Sequence, residues 1–347
     1  MVKVVQLGNV ANLAFNYAKY LRKDGIECDL VVSGDPTDLE VPPENHDWVK
    51  FWNPKNPVTT LFTLWKLTRR YDVIHAHGGR CIYAFFLGKP FIAHSMGSDL
   101  RLYAVQNTPL GILLRTAFKK CNKFFFSSPD QLGLIEKMGL DAEFVFQIID
   151  TEKFAPEQKR TANDRLTFFY PTRHSWTTKG NDKFFKAFAR FLKTCPDARL
   201  VATYWDIHKE KSRELVQQLG IGANVEFVDR MSAPELIRWY RQADVVADEF
   251  NIGSFGLVAL EAMACGKPVL RFIDEKLHLR YYADVPPIAN ASTEEEIYQK
   301  LLQLMDVTYR ESLGNRARVF VLKYHHWKPI TQKLIRQYRA LAPGAIL

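Results

Sequence analysis

Several things are scarce in this 347-residue chain. It has five cysteines, Cys28, Cys81, Cys121, Cys195 and Cys265, with no CxxC pair among them. That spacing argues against a zinc ribbon or a disulfide framework and points to a reducing compartment. Only 18 Gly and 17 Pro exclude a collagen-like or low-complexity chain. No apolar run approaches the ~20 residues of a membrane span. The stretch Met1–Asn9 reads as a first β-strand and lacks the pattern of a signal peptide, so a cytoplasmic location is expected. The turn after that strand reads Gly8-Asn9-Val10-Ala11-Asn12, without the GxGxxG of a dinucleotide fold, and no GxxxxGK[ST] loop follows anywhere. Dehydrogenase and P-loop chemistry are therefore disfavoured. Nothing resembles a nucleic-acid-binding module, and no nucleic-acid partner is expected.

What is present suits a globular chain of 47% hydrophobic and 24% charged residues. At roughly 100–200 residues per domain, two domains are expected. The formal charge of +9 is uneven. Residues 1–150 hold 17 basic and 15 acidic side chains, whereas 310–339 holds eight basic residues against Glu311 alone. Such a stretch reads either as an anion-attracting patch or as a solvated helix face.

Hydrophobic periodicity gives an alternating pattern. Strands are expected at Val2–Leu7, Cys28–Val32, Asp72–His75, Pro90–His94 and Lys123–Ser127, with helices at Asn12–Lys23, Thr59–Arg70 and Leu110–Lys120. A polar stretch from Thr151 to Asp164 reads as a linker. A second series follows, with strands at Leu166–Tyr170, Arg199–Thr203, Val225–Val228, Val245–Ala247 and Val269–Phe272. Its helices are expected at Asp182–Thr194, Lys209–Leu219, Pro234–Gln242, Gly256–Ala264 and Thr293–Leu304. Two α/β units of parallel, doubly wound sheet result, and ligands in such sheets bind beyond the carboxyl ends of the strands.

The densest chemical signal runs from Asp248 to Pro268. A strand ends, a small-residue turn follows, and a helix begins near Ser254–Gly256. Free amides at that helix start favour an anion. Gly253 and Gly256 allow a ligand close to the backbone. Glu261 stands on an otherwise apolar helix face, where a carboxylate needs partners. Vicinal ribose hydroxyls would satisfy it, and so would a neighbouring lysine or the backbone.

These residues carry a family resemblance. Phe255-Gly256 through Glu261-Ala262-Met263-Ala264-Cys265-Gly266-Lys267-Pro268-Val269 resembles the signature of glycosyltransferase family 4, retaining enzymes of the GT-B fold. Asp72–His77 resembles the strand before the family's acceptor loop, and Ile149–Phe154 its interdomain segment. Arg173 with Lys179-Gly180 resembles its Arg…Lys-Gly pair, and Tyr324–Tyr338 with Trp327 its C-terminal helix. The resemblance implies two Rossmann-like, doubly wound parallel-sheet domains facing across a cleft. It divides the chain into 1–157 for the acceptor, 158–328 for the nucleotide sugar, and 329–347 as a helix crossing back.

The same resemblance implies transfer from a nucleotide-sugar donor to a hydroxyl of a glycan, lipid-linked or small-molecule acceptor, with no metal and no other cofactor. Arg173 and Lys179 would hold the diphosphate, Arg as a fork and Lys as a point charge. Glu261 completes the catalytic set with His94. Gly8, Asn9, Asp248, Glu249, Gly253, Ser254, Phe255, Gly256 and Leu257 would line the donor, and His77 and Asp99 the acceptor side. Two departures stand out. The family's Glu-x7-Glu pattern has Gly253 in place of its first Glu, leaving Asp248 or Glu249 to reach the sugar. Aligning on Gly97-Ser98-Asp99 puts Met96 where a catalytic His is usual, whereas aligning on the strand end puts His94 there. Front-face attack with retention then fits, since no protein nucleophile is evident. A GT-B epimerase and a catalytically degenerate nucleotide-sugar-binding protein remain alternatives. Apolar side chains before Arg69-Arg70, and Arg115, Lys119, Lys120 and Lys123, suggest either ordinary packed helices or a face resting on anionic lipid at the inner membrane surface.

Overall fold

A computed structural model describes residues 2–35, 42, 44–53, 56–157 and 164–345. Pro36 and positions 158–163 of the expected linker lie outside the described residues. The chain divides into two compact units, residues 1–148 with 325–347, and residues 149–324.

The first unit has seven strands: β1 (Lys3–Leu7), β2 (Glu27–Ser33), β3 (Val49–Trp52), β4 (Val73–His77), β5 (Phe91–Ser95), β6 (Lys123–Phe126) and β7 (Ala142–Phe144). They pair in parallel in the order β3-β2-β1-β4-β5-β6-β7. The second unit has β8 (Thr167–Tyr170), β9 (Arg199–Thr203), β10 (Val225–Val228), β11 (Val245–Ala247), β12 (Val269–Arg271) and β13 (Ala289–Asn290). Their order is β10-β9-β8-β11-β12-β13, again parallel. In each sheet the first strand is central and the chain then winds outward in both directions. The strand order therefore reverses beside β1 in one unit and beside β8 in the other, where doubly wound sheets bind ligands.

The central strands are apolar runs because helices cover both of their faces. The helix Asn181–Phe191 shows how: Phe184, Phe185, Phe188 and Phe191 recur at helical spacing, and all four are buried. Helix starts follow local chemistry. Ser232 and Glu235, and likewise Thr293 and Glu296, close reciprocal capping boxes.

Edge strands β3, β7 and β13 escape the sequence reading because they are short and incompletely buried. The helix Val307–Tyr324 escapes it because its apolar residues form no single stripe. Much of the basic stretch 310–339 is internal structure. Arg318 donates to the carbonyls of Thr151, Phe154 and Ala264, and Arg310 to those of Leu304 and Met305. Lys323 pairs with Asp284, Lys328 with Asp24, and Lys333 with Glu143. The last two tie the helix Trp327–Leu341 to the first unit, where Trp327 stacks on Tyr20.

Candidate functional site

In the second unit, the loops after β8 and β11 meet at the reversal of strand order. After Tyr170 the chain forms the short helix Trp176–Lys179, turns at Gly180, and enters Asn181–Phe191. Gly180 has φ +65°, and a Cβ there would stand 3.0 Å from Asn251 Oδ1. Only glycine meets both demands without strain. The Phe250 amide donates to the Lys179 carbonyl at 2.9 Å, and Asn251 Nδ2 donates to the Trp176 carbonyl at 2.9 Å. The two loops are thus joined backbone to backbone.

This joint presents Lys179 and Arg173. The Lys179 ammonium is half-buried and makes no hydrogen bond among the described residues. Burial lowers its pKa, against the opposing pull of Asp248 and Glu249, while Arg271 and Arg173 push the same way as burial. Arg173 is 43% exposed and stands 3.6 Å from Asp206. A cation that is partly desolvated, short of hydrogen bonds and near other cations favours an anionic ligand.

The loop after β11 is built around Arg271, which is fully buried. Its guanidinium donates to Asp248 at 2.7 Å and Glu249 at 2.6 Å, and reaches the Ser254 carbonyl. Asp248 also accepts from Thr172 Oγ1 at 2.7 Å, and Glu249 from the amides of Ile252 and Gly253. The two carboxylates expected to reach a sugar, Asp248 and Glu249, are in this structure both committed to shaping their own loop. Phe255 likewise packs inward, its ring against His278, Tyr282 and Arg271. Ser254 is buried, leaving Gly256 and Leu257 as the more open part of the expected donor set. The helix Leu257–Ala264 has no side-chain cap at Gly256, so its first amides stay available.

Gly253 is the most constrained position of the loop. Its φ is +76°, and a Cβ would stand 2.7 Å from the Phe272 ring and 3.1 Å from the Asp274 amide. A glutamate has no room there in this loop. Glu261 is half-buried and takes one hydrogen bond, from Tyr240 Oη at 3.1 Å. Burial pushes its pKa up to about 7, against the lowering effects of that bond and of Lys153. Such a carboxyl is poised to gain from hydroxyl donors.

The residues expected in the first unit are placed differently. Gly8 has φ +85° and donates its amide to Val31. Asn9 is buried, and its side-chain oxygen accepts from the Phe15 amide at 3.0 Å. Asn9 thus satisfies an amide in the first turn of the helix Leu13–Lys23 and donates from its amide nitrogen to Asn12 Oδ1 at 3.2 Å. The missing glycines of this turn are replaced by left-handed Ala11 (φ 52°) and Asn12 (φ 58°). His94 and His77 are buried within the sheet face, and burial takes the pKa of His94 down to about 3. Asp99 closes the turn after β5, accepting from the Met96 and Gly97 amides at 3.0 and 2.7 Å. All three side chains are buried, none more than 5% exposed.

Sequence reasoning missed Arg271, Tyr240 and Thr172. Arg271 did have a signal, a lone arginine within the apolar run Val269–Ile273. A cavity of about 350 Å³, lined by Pro156, Arg241, Cys265 and Lys267, lies at the opposite ends of β11 and β12 and holds none of the site residues.

Residues 10–153 match the family model described as Glycosyltransferase Family 4, and residues 151–272 that described as Glycosyl transferases group 1. A curated relative, D-inositol 3-phosphate glycosyltransferase of Kribbella flavida, is 36% identical over 138 residues, covering 35% of this chain. The match spans about a third of that relative, 32% of its length. Two solved structures share the fold over nearly the whole chain. Sucrose-phosphate synthase from Thermosynechococcus elongatus has a TM-score of 0.77 at 16% identity, covering 99% of this chain and 100% of its own. Anabaena Alr3699/HepE in complex with UDP and glucose has a TM-score of 0.76 at 14% identity, covering 98% and 100%.

Proposed function

We propose that this chain, whose two halves match the models of glycosyltransferase family 4 and of glycosyl transferases group 1, transfers a sugar from a nucleoside-diphosphate sugar to an acceptor hydroxyl with retention of configuration. The observation that carries the proposal is the hydrogen-bond-poor Lys179 ammonium beside Arg173, at the strand-order reversal of the second unit. Cleavage of the donor builds charge on a departing diphosphate. Lys179, the Arg173 fork and the uncapped amides of the helix Leu257–Ala264 are donors fixed before the reaction, so little reorganisation is needed to meet that charge. They supply positive charge from the protein itself, and transfer needs no metal in this reading. Glu261 takes the ribose hydroxyls, which satisfy its raised carboxyl as it ionises. The diphosphate oxygen leaving on the front face accepts the proton of the attacking hydroxyl.

The relative named for D-inositol 3-phosphate makes a hydroxyl-rich acceptor a first choice, and the neighbour solved with UDP and glucose makes UDP-sugars the first donors to try. The test is nucleotide binding and release with Lys179→Ala beside the unaltered chain. Turnover supports transfer, while absence of nucleotide binding rejects it. A second reading, a nucleotide-sugar-binding protein without turnover, is favoured by Gly253 and by the inward commitment of Asp248 and Glu249. Binding without release under any acceptor would support it.

The acceptor side suits a lipid surface. No helix among the described residues is long and apolar enough to cross a membrane. Yet Val58, Phe62 and Trp65 are exposed on the helix Pro57–Thr68, as are Leu102, Ile112 and Leu113 elsewhere in the same unit. Residues 48–129 hold twelve Lys and Arg against Asp72 and Asp99. Asp99 is buried, and Asp72 accepts from the Lys3 amide. Lys66 lies over the Phe62 ring at 4.5 Å. Apolar side chains edged by cations match an anionic interface, where a lipid-linked acceptor would be held.

A further inference from the structure

The first unit contains a second constellation that donor chemistry does not use. Gln6 of β1, His75 and His77 of β4 and His94 of β5 share one sheet face, with Gln6 in register with His75 and His77 with His94. All four are at most 1% exposed. The imidazoles stack, with centroids 4.5 Å apart for His75 and His77 and 5.3 Å for His75 and His94. A parallel sheet covered on both faces normally spends such positions on Val, Ile and Leu.

Counting protons shows which ring nitrogens carry lone pairs. Ser127 Oγ donates its one proton to the Val145 carbonyl at 2.6 Å. It therefore accepts from His94 Nε2 at 2.8 Å, which leaves His94 Nδ1 bare. The Gln6 amide nitrogen donates to Tyr338 Oη at 3.2 Å, so its oxygen accepts from His77 Nε2 at 2.8 Å. His77 Nδ1 is then bare too, and it is buried with no hydrogen-bond partner among the described residues. His75 Nδ1 meets Tyr338 Oη at 2.7 Å, and its Nε2 lies 3.1 Å from His94 Nδ1.

We propose that His75 Nε2, His77 Nδ1 and His94 Nδ1 are the protein ligands of a first-row transition-metal ion of the zinc class. Two tetrahedral ligands at 2.0–2.1 Å from zinc stand about 3.3–3.4 Å apart, close to the 3.1 Å between His75 and His94. One ring nitrogen from each of the three residues lies within 4.8 Å of the others. The outward nitrogen of each ring meets a protein oxygen, of Tyr338, Gln6 or Ser127, which is the support that ligating histidines need to hold tautomer and orientation. The set has no carboxylate or thiolate, which selects ions that imidazole suits and excludes calcium and magnesium. In the ion-free chain His75 Nε2–H donates to His94. When the ion binds, that ring proton sits on Nδ1, facing Tyr338 Oη. Three neutral ligands leave the fourth position to a small anion such as hydroxide or chloride, since a dication buried without compensation is costly. Enclosed in this way, the ion enters as the chain folds. It joins β4 to β5 and, through Tyr338, to the helix Trp327–Leu341.

The test is metal content of the full chain. Protein made in zinc-supplemented medium, and protein refolded from denaturant with Zn²⁺ or with EDTA, is desalted and assayed by mass spectrometry of the elements. About one zinc per chain is expected, with a higher melting temperature than the EDTA-refolded form. Co²⁺ refolding is expected to give visible absorption of four-coordinate intensity. His77→Gln and His94→Gln each lose the ion, and Tyr338→Phe, which removes no ligand, weakens zinc retention about 10–100-fold. Well-folded unaltered chain that holds less than about a tenth of an ion after zinc refolding overturns the proposal. So does zinc retained at full content by the His77→Gln, His94→Gln double variant. If those variants fail to fold, the cobalt spectrum of the unaltered chain decides alone: no visible band rejects the site.

Discussion

Arg271 donates to Asp248 at 2.7 Å and to Glu249 at 2.6 Å, and all three side chains are sealed from water. The pair of carboxylates ends β11, and the arginine comes from its neighbour β12. Removing the guanidinium leaves two buried charges without a counter-ion. Arg271→Leu is therefore expected to cost about 3–5 kcal/mol of stability, with Asp248→Asn and Glu249→Gln added on top recovering part of it. Urea denaturation of the three proteins checks both effects.

Gly253 stands where the resemblance calls for a glutamate. Its left-handed φ and the Phe272 ring 2.7 Å from a Cβ make any side chain costly. Gly253→Ala is expected to lose roughly 1–3 kcal/mol. Gly253→Glu is expected to lower nucleotide affinity along with stability, not to raise turnover. A gain in turnover would show that the loop relaxes to admit the carboxylate.

Both sheets and the strand–turn–helix after β11 were legible because they rest on local pattern. Runs such as Val2–Leu7 and the turn Gly253–Gly256 announce themselves in a few residues. The commitment of Asp248 and Glu249 was not legible, because their partner lies more than twenty residues away on another strand. The bond that Asn9 accepts from the Phe15 amide was not legible for a related reason. Its role is fixed by the left-handed turn at Ala11 and Asn12, which no propensity favours. His94 illustrates the same limit: its strand was evident, but which face it occupies and what meets it there depend on the register with β4.

Glu261 gives a pH signature. Its pKa rises from 4.5 to about 7 on folding, so between those values the folded chain keeps a proton that the unfolded chain has lost. Its contribution to stability accordingly falls as pH rises through that window, by about 2 kcal/mol after allowance for partial exposure. Glu261→Gln removes this slope in thermal melts from pH 4.5 to 7.

Nucleotide binding has the opposite dependence. Ribose hydroxyls favour the ionised carboxylate, so affinity is expected to rise about tenfold from pH 6 to pH 8, with proton release on binding. Calorimetry in two buffers of different ionisation enthalpy checks the proton count. Glu261→Gln should flatten both the affinity profile and the buffer difference.

The exposed aromatic helix face makes a separate prediction. Phe62→Ser with Trp65→Ser is expected to abolish flotation with anionic phosphatidylglycerol vesicles while leaving nucleotide affinity unchanged. Binding of the unaltered chain should weaken with salt. Equal flotation with neutral phosphatidylcholine vesicles would remove the charge component of that reading.

The most direct measurement is thermal shift and nucleotide release against UDP-, GDP- and ADP-sugars in EDTA, with Lys179→Ala and Glu261→Ala run in parallel. The expected result is stabilisation by one nucleotide class, with slow release of that nucleotide, and loss of both in each variant. No response to any nucleotide, or a response that survives Lys179→Ala unchanged, would contradict the donor site at the joined loops after β8 and β11.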